Sequence, residues 1–286
     1  METRVVVVLS KHNHYLKYLS EFLGKLPEDI LFSSASLSMF KDNPRLAAST
    51  LLFLDTYLRS NRINFLDLGC GYGYLTVLFK DMLGFKNAYG VDIDEERLMV
   101  AESLGIITCR LDLEKDLLPF PENYFSLATA AGILNHLKYW DNVLREVNRV
   151  LKPGGLFFIS NPNMGWWLER ISLLLGYQPP SVEVSEVYTV NLPPFYPRRK
   201  PIGYLHSLTL KGMIELLTLY NFKCLKVFPA RIPKIDLDMK KPPIPRFLKY
   251  AVRVVDGILS LSPNLSIRSL VVCEKKDPCH SGIISI

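Results

Sequence analysis

Residues 67–73 of the 286-residue chain read Asp-Leu-Gly-Cys-Gly-Tyr-Gly, and this stretch decides the fold. The apolar run 63–68 predicts a buried β-strand, and residues 74–83 predict a helix directly after the glycines. Glycines at such a turn let the backbone bend sharply and let a ligand approach it closely. A helix start also offers free N–H groups and a positive dipole end. The stretch therefore predicts a ligand-binding loop between a strand and a helix.

The glycine spacing does not fit two common phosphate-binding loops. A dinucleotide-binding fold requires G-x-G-x-x-G, and counting from Gly69 or Gly71 places its third glycine on Tyr74 or Thr76. A phosphate P-loop requires Gly-Lys-Ser/Thr, which the stretch lacks. The loop is therefore tight but is not shaped for a diphosphate.

Strands and helices alternate on both sides of this loop, which predicts βαβ units, a parallel sheet and right-handed crossovers. The further predicted strands are 88–93, 106–109, 124–130, 156–160, 223–228 and 269–274. The further predicted helices are 13–26, 44–60, 94–104, 140–151, 166–175, 210–220 and 247–261. Residues 152–155, Lys-Pro-Gly-Gly, are expected to form a turn between a helix and a strand.

Four regions are expected along the chain. Residues 1–60 form an N-terminal helical extension, 61–160 the α/β core, 161–205 a proline-rich insert over the substrate side, and 206–286 the completion of the sheet. The apolar helix 166–175 within the insert has two interpretations: a lid over an apolar substrate or a membrane surface, or ordinary packing of a cap.

Composition restricts the classes of protein. Hydrophobic residues make up 49% of the chain, so a sizeable core is expected and a disordered chain is not. Five cysteines without a CxxC pair indicate neither a zinc site nor a disulfide framework. No stretch of 18 uncharged apolar residues predicts a transmembrane helix, and a cytoplasmic location is expected. The net charge of +6 is compatible with anionic ligands.

A second feature is the run 90–94, Gly-Val-Asp-Ile-Asp, at the expected end of the next strand. A carboxylate at the position of Asp92 can accept two hydrogen bonds from a ribose diol. Asp94 is expected to cap the helix that follows.

Five segments in a fixed order resemble the class I S-adenosylmethionine (SAM)-dependent methyltransferases: 67–73, 90–92, 110–112, 118–125 and 149–155. The resemblance implies SAM as cofactor and a Rossmann-like α/β fold. That fold has a twisted, mostly parallel seven-stranded sheet, helices on both faces and a substrate-covering insert. One departure is Ser126, where the family often has an aspartate after the phenylalanine of the fourth strand.

The resemblance also implies roles for single positions. Gly69 and Gly71 would lie against the methionine end of SAM, and Asp67 would hold its ammonium group. Asp92 would bind the ribose hydroxyls, and Ile93 would pack on the adenine. The cofactor-binding set implied in this way is Asp67, Gly69, Gly71, Gly73, Asp92, Ile93, Asp112, Leu113 and Ala130. Asp112 would accept from the adenine amino group, Leu113 would flank the ring, and no metal is expected.

Two histidines are candidates for a general base. Histidine titrates near neutral pH, which suits proton transfer from an acceptor hydroxyl or carbon. His206 comes first because it follows the insert that is expected to fold over the site. His136 comes second because it follows the fourth strand. A structural role is the alternative for each.

The leading interpretation is a methyltransferase acting on a small-molecule acceptor, by O- or C-methylation of a lipid, quinone or sugar. The segments 176–179 and 203–209 resemble a small-molecule branch of the family. One alternative is a tRNA-modifying methyltransferase, although no basic stripe with interleaved aromatics favours nucleic acid. Another is a SAM-binding scaffold without catalysis. The basic, amphipathic stretch 240–261 leaves peripheral membrane contact as a further alternative, and the sequence does not indicate an oligomeric state.

Overall fold

The computed structural model describes residues 2–28, 30, 34–58, 62–193, 201–232 and 246–276. Its strands are β1 (Asn64–Leu68), β2 (Asn87–Asp92), β3 (Ile107–Arg110), β4 (Phe125–Ala131), β5 (Leu151–Pro162), β6 (Phe222–Ala230) and β7 (Arg268–Lys275). Its α-helices are α1 (Glu2–Lys25), α2 (Ala35–Asp42), α3 (Pro44–Tyr57), α4 (Tyr74–Leu83), α5 (Glu95–Ser103), α6 (Asp141–Val150), α7 (Trp167–Leu174), α8 (Leu210–Leu219) and α9 (Arg246–Leu259).

The seven strands form one sheet in the order β3-β2-β1-β4-β5-β7-β6. Strands β1 to β5 pair in parallel, and β7 is antiparallel to both of its neighbours. The predicted α/β fold with a mostly parallel seven-stranded sheet is confirmed. The chain order reverses between β1 and β4, and ligands bind in open α/β sheets at the carboxyl ends of the strands beside such a reversal.

Helices cover both faces of the sheet, as predicted. On one face α1 to α4 pack over an aromatic cluster in which Phe79 of α4 lies 5.4 Å from Phe158 and 6.1 Å from Phe65, between ring centroids. On the other face α6 and α8 bury residues such as Leu144 and Met213 against the sheet. Helix α6 has a strongly one-sided apolar face, which explains why the sequence pattern located it well.

The N-terminal region differs from the prediction in two places. Helix α1 begins at Glu2 rather than at residue 13. Helix α2 is short and was not predicted; its N-cap is Ser34, whose hydroxyl accepts a hydrogen bond from the Leu37 N–H at 3.3 Å. Helix α3 ends at Tyr57, and residues 59 and 60 of the predicted helix lie outside the described residues.

The predicted turn at 152–155 lies within β5 rather than before it. Leu151 pairs with Phe125 and Leu156 pairs with Leu127, so the four residues between them bulge out of the ladder. Gly154 has a φ of +71°, which accommodates the turn. The ladder pairing of Leu151 makes it a strand residue, whereas the helical pattern ends one residue earlier.

The insert is attached to the C-terminal helix through one buried carboxylate. Asp256 of α9 accepts hydrogen bonds from the indole N–H groups of Trp166 (3.2 Å) and Trp167 (2.9 Å). Beyond them Leu174 and Leu175 are exposed, so only the first part of the apolar stretch packs as a cap. Within the described residues, no helix is both long and apolar enough to cross a membrane. The basic residues at 240–241 and the prolines at 194 and 197 lie outside the described residues.

Candidate active site

A cavity of about 540 Å³ opens at the carboxyl ends of the parallel strands. Small-molecule sites usually occupy roughly 300–1,000 Å³. The walls come from the loop after β1, the end of β2, the loop after β4, the segment around Ser34, residues 202 and 204 of the insert, and Arg268 of β7. The cavity therefore lies at the reversal of strand order.

The glycine loop after β1 is held open by backbone hydrogen bonds. The N–H groups of Gly69 and Cys70 donate to the Val91 carbonyl at 2.7 and 3.1 Å, which ties the loop to β2. A Cβ atom on Gly71 would meet nothing within 4 Å, and its φ is +52°. A Cβ atom on Gly69 would lie 2.6 Å from the Ile133 side chain. At Gly71 the wall is therefore bare backbone that a ligand can contact directly, whereas the missing side chain of Gly69 makes room for Ile133.

Asp92 ends β2 as predicted and lies on the cavity wall, nearly buried. One carboxylate oxygen accepts from the Gly71 N–H at 2.8 Å, and the other accepts from the Asp94 N–H at 3.0 Å. Each carboxylate oxygen can accept two hydrogen bonds, so both retain capacity for a diol. Asp94 caps α5 by accepting from the Arg97 N–H at 3.2 Å, which confirms the predicted cap.

Asp67 lies beneath the loop and does not line the cavity. Its carboxylate accepts hydrogen bonds from the hydroxyls of Thr76 (2.6 Å) and Thr129 (2.5 Å), which join α4 and β4 to β1. Burial and, to a lesser extent, the nearby charge of Asp92 raise the pKa of Asp67 to about 6. The hydrogen bonds from the two hydroxyls act in the opposite direction. This carboxylate thus lies under the loop, where it links α4 and β4 to β1, rather than on the cavity surface.

The other predicted cofactor positions divide into two groups. Gly73 and Ile93 lie on the cavity wall. Ala130 is fully buried in β4, and the wall residue is Ala131, because neighbouring strand residues point to opposite faces. Asp112 and Leu113 do not reach the wall. Lys115 donates to Asp112 at 2.7 Å and holds the pKa of that carboxyl below its usual value. The roles of Asp112 and Leu113 beside the adenine stay predictions.

His136 is the histidine on the cavity wall. Its Nδ1 lies 2.9 Å from the Gly203 carbonyl, which can only accept, so Nδ1 carries the proton. The neutral ring then presents its Nε2 lone pair. Burial lowers the pKa of His136, and the charge of Arg268 lowers it further. The Tyr204 ring packs edge-on against the imidazole at 5.3 Å.

His206 occupies a different place. Its side chain is exposed and does not line the cavity, and its backbone N–H donates to the Asn135 carbonyl at 3.3 Å. The sequence ranked it first because the insert was expected to carry it over the site. The structure instead brings Tyr204 and Ile202 to the wall, and of the two histidines it places His136 there; which of them acts as a base stays a prediction.

Two charged residues at the site were not assigned these roles from the sequence. Glu183 accepts three hydrogen bonds on one oxygen, from the backbone N–H groups of residues 202, 203 and 204 at 2.8, 2.8 and 3.0 Å. It therefore shapes the segment that holds His136. Arg268, at the first residue of β7, reaches the opposite side of the cavity. The sequence feature that could have pointed to Arg268 is a charged residue at the start of an apolar strand.

The central segment matches a known protein family. A family model described as a methyltransferase domain matches residues 66–159. A ubiquinone/menaquinone biosynthesis C-methyltransferase, UbiE, from Burkholderia mallei is 34% identical over 106 residues, which are 35% of this chain and 44% of that protein. The chain thus spans less than half the length of the curated relatives it matches.

Solved structures share the architecture over most of the chain. One is a chain from the complex of the Haloferax volcanii Trm112 methyltransferase activator with a methyltransferase, at a TM-score of 0.54 and 15% identity, covering 83% of this chain and 92% of that one. Another is a SAM-dependent methyltransferase from Archaeoglobus fulgidus, at a TM-score of 0.52 and 15% identity, covering 79% and 92%. At this identity the likeness shows the fold alone.

Proposed function

Because residues 66–159 form a domain of the class I SAM-dependent methyltransferase family, we propose that the chain transfers a methyl group from SAM to a small-molecule acceptor. The observation that carries the proposal is that one cavity is lined both by the residues expected to bind the cofactor and by a histidine that can act as a base. Gly71 and Asp92 form one side of it, and His136 lines it from the loop after β4, with its Nδ1 bound to the Gly203 carbonyl.

Three features of the wall fit the cofactor. The bare backbone at Gly71 leaves room for the amino-acid end, beside Gly69 and the start of α4. Asp92 supplies acceptors for the ribose hydroxyls, and the exposed side chain of Ile93 offers an apolar surface for the adenine. The braced carboxylate of Asp67 fixes the loop from below. We therefore assign cofactor binding to Gly69, Gly71, Asp92 and Ile93.

Methyl transfer needs the acceptor atom to be aligned with the methyl group, and it needs a base when the acceptor is a hydroxyl or an acidic carbon. SAM when bound supplies an activated methyl group on a sulfonium. His136 would take the proton from the acceptor atom at Nε2 as that atom receives the methyl group, and SAH would be the leaving group. The Nδ1–H bond to Gly203 keeps the imidazole in the required tautomer and orientation.

The acceptor class is supported by the volume of the cavity, which suits a small molecule, and by the name of the curated relative. A C-methyltransferase of quinone biosynthesis is 34% identical in the domain, so a quinone-like or other lipid acceptor is one member of the proposed class, with sugars the other. A tRNA-modifying methyltransferase is the second candidate, and the labelling experiment below distinguishes it. A binding scaffold without turnover is the third candidate.

Labelled methyl transfer tests the proposal. Purified protein and [methyl-³H]SAM are incubated with lipid, polar-metabolite and RNA fractions of cell extract, with Gly71→Arg as the matched variant. We expect label in a lipid or polar-metabolite fraction with the wild-type chain alone. Label confined to RNA supports the tRNA alternative. Binding of S-adenosylhomocysteine (SAH) without label in any fraction supports the scaffold.

Asp92→Asn is expected to weaken SAH binding by about 10–100-fold. The amide loses the charge and one acceptor oxygen, and hydrogen bonds to charged groups contribute about 1.5–3 kcal/mol each. Isothermal titration calorimetry measures the affinity, and Glu95→Gln on the exposed first turn of α5 is the matched control. Equal affinities for both variants would remove Asp92 from the cofactor site.

Glu183→Ala is expected to lower kcat about tenfold without changing SAH affinity. Three backbone N–H groups lose their shared acceptor, so the Gly203 carbonyl no longer fixes the His136 ring. Glu183→Gln keeps an acceptor oxygen and should restore most of the rate. The pH profile of the alanine variant should also lose its sharp acid limb. Wild-type kcat in Glu183→Ala would show that the segment holds its shape without the carboxylate.

A further inference from the structure

Arg268 presents an unused pair of donors to the cavity. Arg268 is only 7% exposed, and it lines the cavity. Its Nε and Nη2 atoms are both buried and have no hydrogen-bond partner among the described residues. These two N–H groups lie on one edge of the guanidinium, where they point in parallel and match the two oxygens of a carboxylate or phosphate.

The position of Arg268 in the sheet separates it from the cofactor side. The glycine loop and Asp92 follow β1 and β2, whereas Arg268 pairs with Pro162 of β5 and Ala230 of β6, on the other side of β4. His136, after β4, stands between the two groups in the strand order. The backbone of Arg268 therefore lies on the opposite side of the strand-order reversal from the glycine loop, and its side chain reaches the cavity from that side.

Among the described residues, neither Asp92 nor Asp94, the carboxylates of the wall, forms an ion pair with Arg268. Asp92 accepts from two backbone N–H groups, and Asp94 forms an ion pair with Arg97 at 3.1 Å. A buried charge without a partner is costly, and such a residue persists where a ligand completes it. Gly132 lies beside the guanidinium: a Cβ atom there would be 3.4 Å from Nη2, so glycine keeps the approach open.

We propose that Arg268 binds an anionic group of the methyl acceptor through the parallel Nε and Nη2 donors. This inference rests on the proposed function and restricts its substrate class to acceptors that carry a carboxylate or phosphate. The anionic group is held on the β7 side, and the atom to be methylated then lies nearer His136 and the cofactor. Arg268 acts as a specificity residue for the acceptor and does not contact the cofactor.

Binding of small anions tests the inference without turnover. The full chain, with and without saturating SAH, is titrated with 4-fluorobenzoate, 4-fluorophenyl phosphate and neutral 4-fluorobenzamide, and ¹⁹F NMR measures each dissociation constant. The proteins compared are wild type, Arg268→Met and Arg145→Met, an exposed arginine of α6 that does not line the cavity. The two anions distinguish a carboxylate-bearing from a phosphate-bearing acceptor.

The expected result is that one or both anions bind the wild type and Arg145→Met, and bind Arg268→Met at least tenfold more weakly. The benzamide should bind all three proteins alike. SAH affinity should be unchanged, and Arg268→Met should melt about 2–4 °C higher because it removes an uncompensated buried charge.

Three results would overturn the inference. The first is that the anion affinities of wild type and Arg268→Met agree within twofold. The second is a tenfold loss of SAH affinity in Arg268→Met, which would assign the arginine to the cofactor carboxylate. The third is a lower melting temperature of Arg268→Met, which would indicate a structural role. Failure of the wild type to bind SAH would contradict the proposed function instead. The titrations without SAH still measure the dependence on Arg268 in that case.

Discussion

Gly71→Arg abolishes SAH binding, with an expected loss of at least 100-fold, while the chain still folds. A Cβ atom at this position meets no atom within 4 Å, so the long side chain extends into the cavity and occupies the place of the amino-acid end. The backbone φ of +52° costs a non-glycine residue roughly 1–2 kcal/mol. That strain lowers the melting temperature by a few degrees without unfolding a chain of this size.

Gly71→Ala is the matched control because it carries the same backbone strain with almost no volume. It should keep SAH affinity within about tenfold of wild type, as measured by calorimetry. Two outcomes would contradict the account: wild-type affinity in Gly71→Arg, which would place the ligand elsewhere, and equal losses in both variants, which would attribute the effect to strain rather than to occupation of the cavity.

His136→Gln lowers kcat by about 10²–10⁴, the usual contribution of a general base, and leaves SAH affinity unchanged. Glutamine keeps a donor for the Gly203 carbonyl but cannot accept a proton at neutral pH. The assay uses the acceptor fraction identified by labelled methyl transfer. His206→Gln is the control, since the exposed side chain of His206 does not line the cavity, and it should retain wild-type kcat.

The pH profile gives this prediction a second readout. The base acts when neutral, so kcat/KM should rise with pH through a midpoint below the ordinary histidine value of 6.5, because burial lowers the pKa of His136. The Gly203 carbonyl and Glu183 oppose that shift, whereas Arg268 and Arg97 add to it. The acid limb should disappear in His136→Gln. A large kcat loss in His206→Gln with a normal His136→Gln would restore the order inferred from the sequence.

The parts of the fold that depend on local patterns could be predicted from the sequence. The seven strands follow from short apolar runs between turn residues, and Asp94 was recognised as a cap from its place before a helix. The glycine loop and Asp92 lie 25 residues apart or fewer, and both end neighbouring parallel strands. Their meeting at one edge of the sheet therefore follows from strand order alone.

The rest of the site depends on contacts between distant segments. Arg268 meets Gly132 across more than a hundred residues, and the Gly203 carbonyl reaches His136 from the insert. No periodicity in the sequence encodes which side of an irregular segment faces the cavity, so the sequence placed His206 ahead of His136 although only His136 lines the cavity. Ala130 was assigned to the wall because the fourth strand was predicted to end there, whereas β4 continues to Ala131.

The central claim is that the cavity at the ends of β1, β2 and β4 holds SAM with its ribose on Asp92. A crystal structure of the full chain with SAH tests it most directly. We expect SAH in the cavity, both ribose hydroxyls within roughly 3.2 Å of the Asp92 carboxylate, its amino-acid end against Gly69 and Gly71, and its sulfur on the side of His136. Density for SAH outside this cavity, or a ribose turned away from Asp92, would contradict the account.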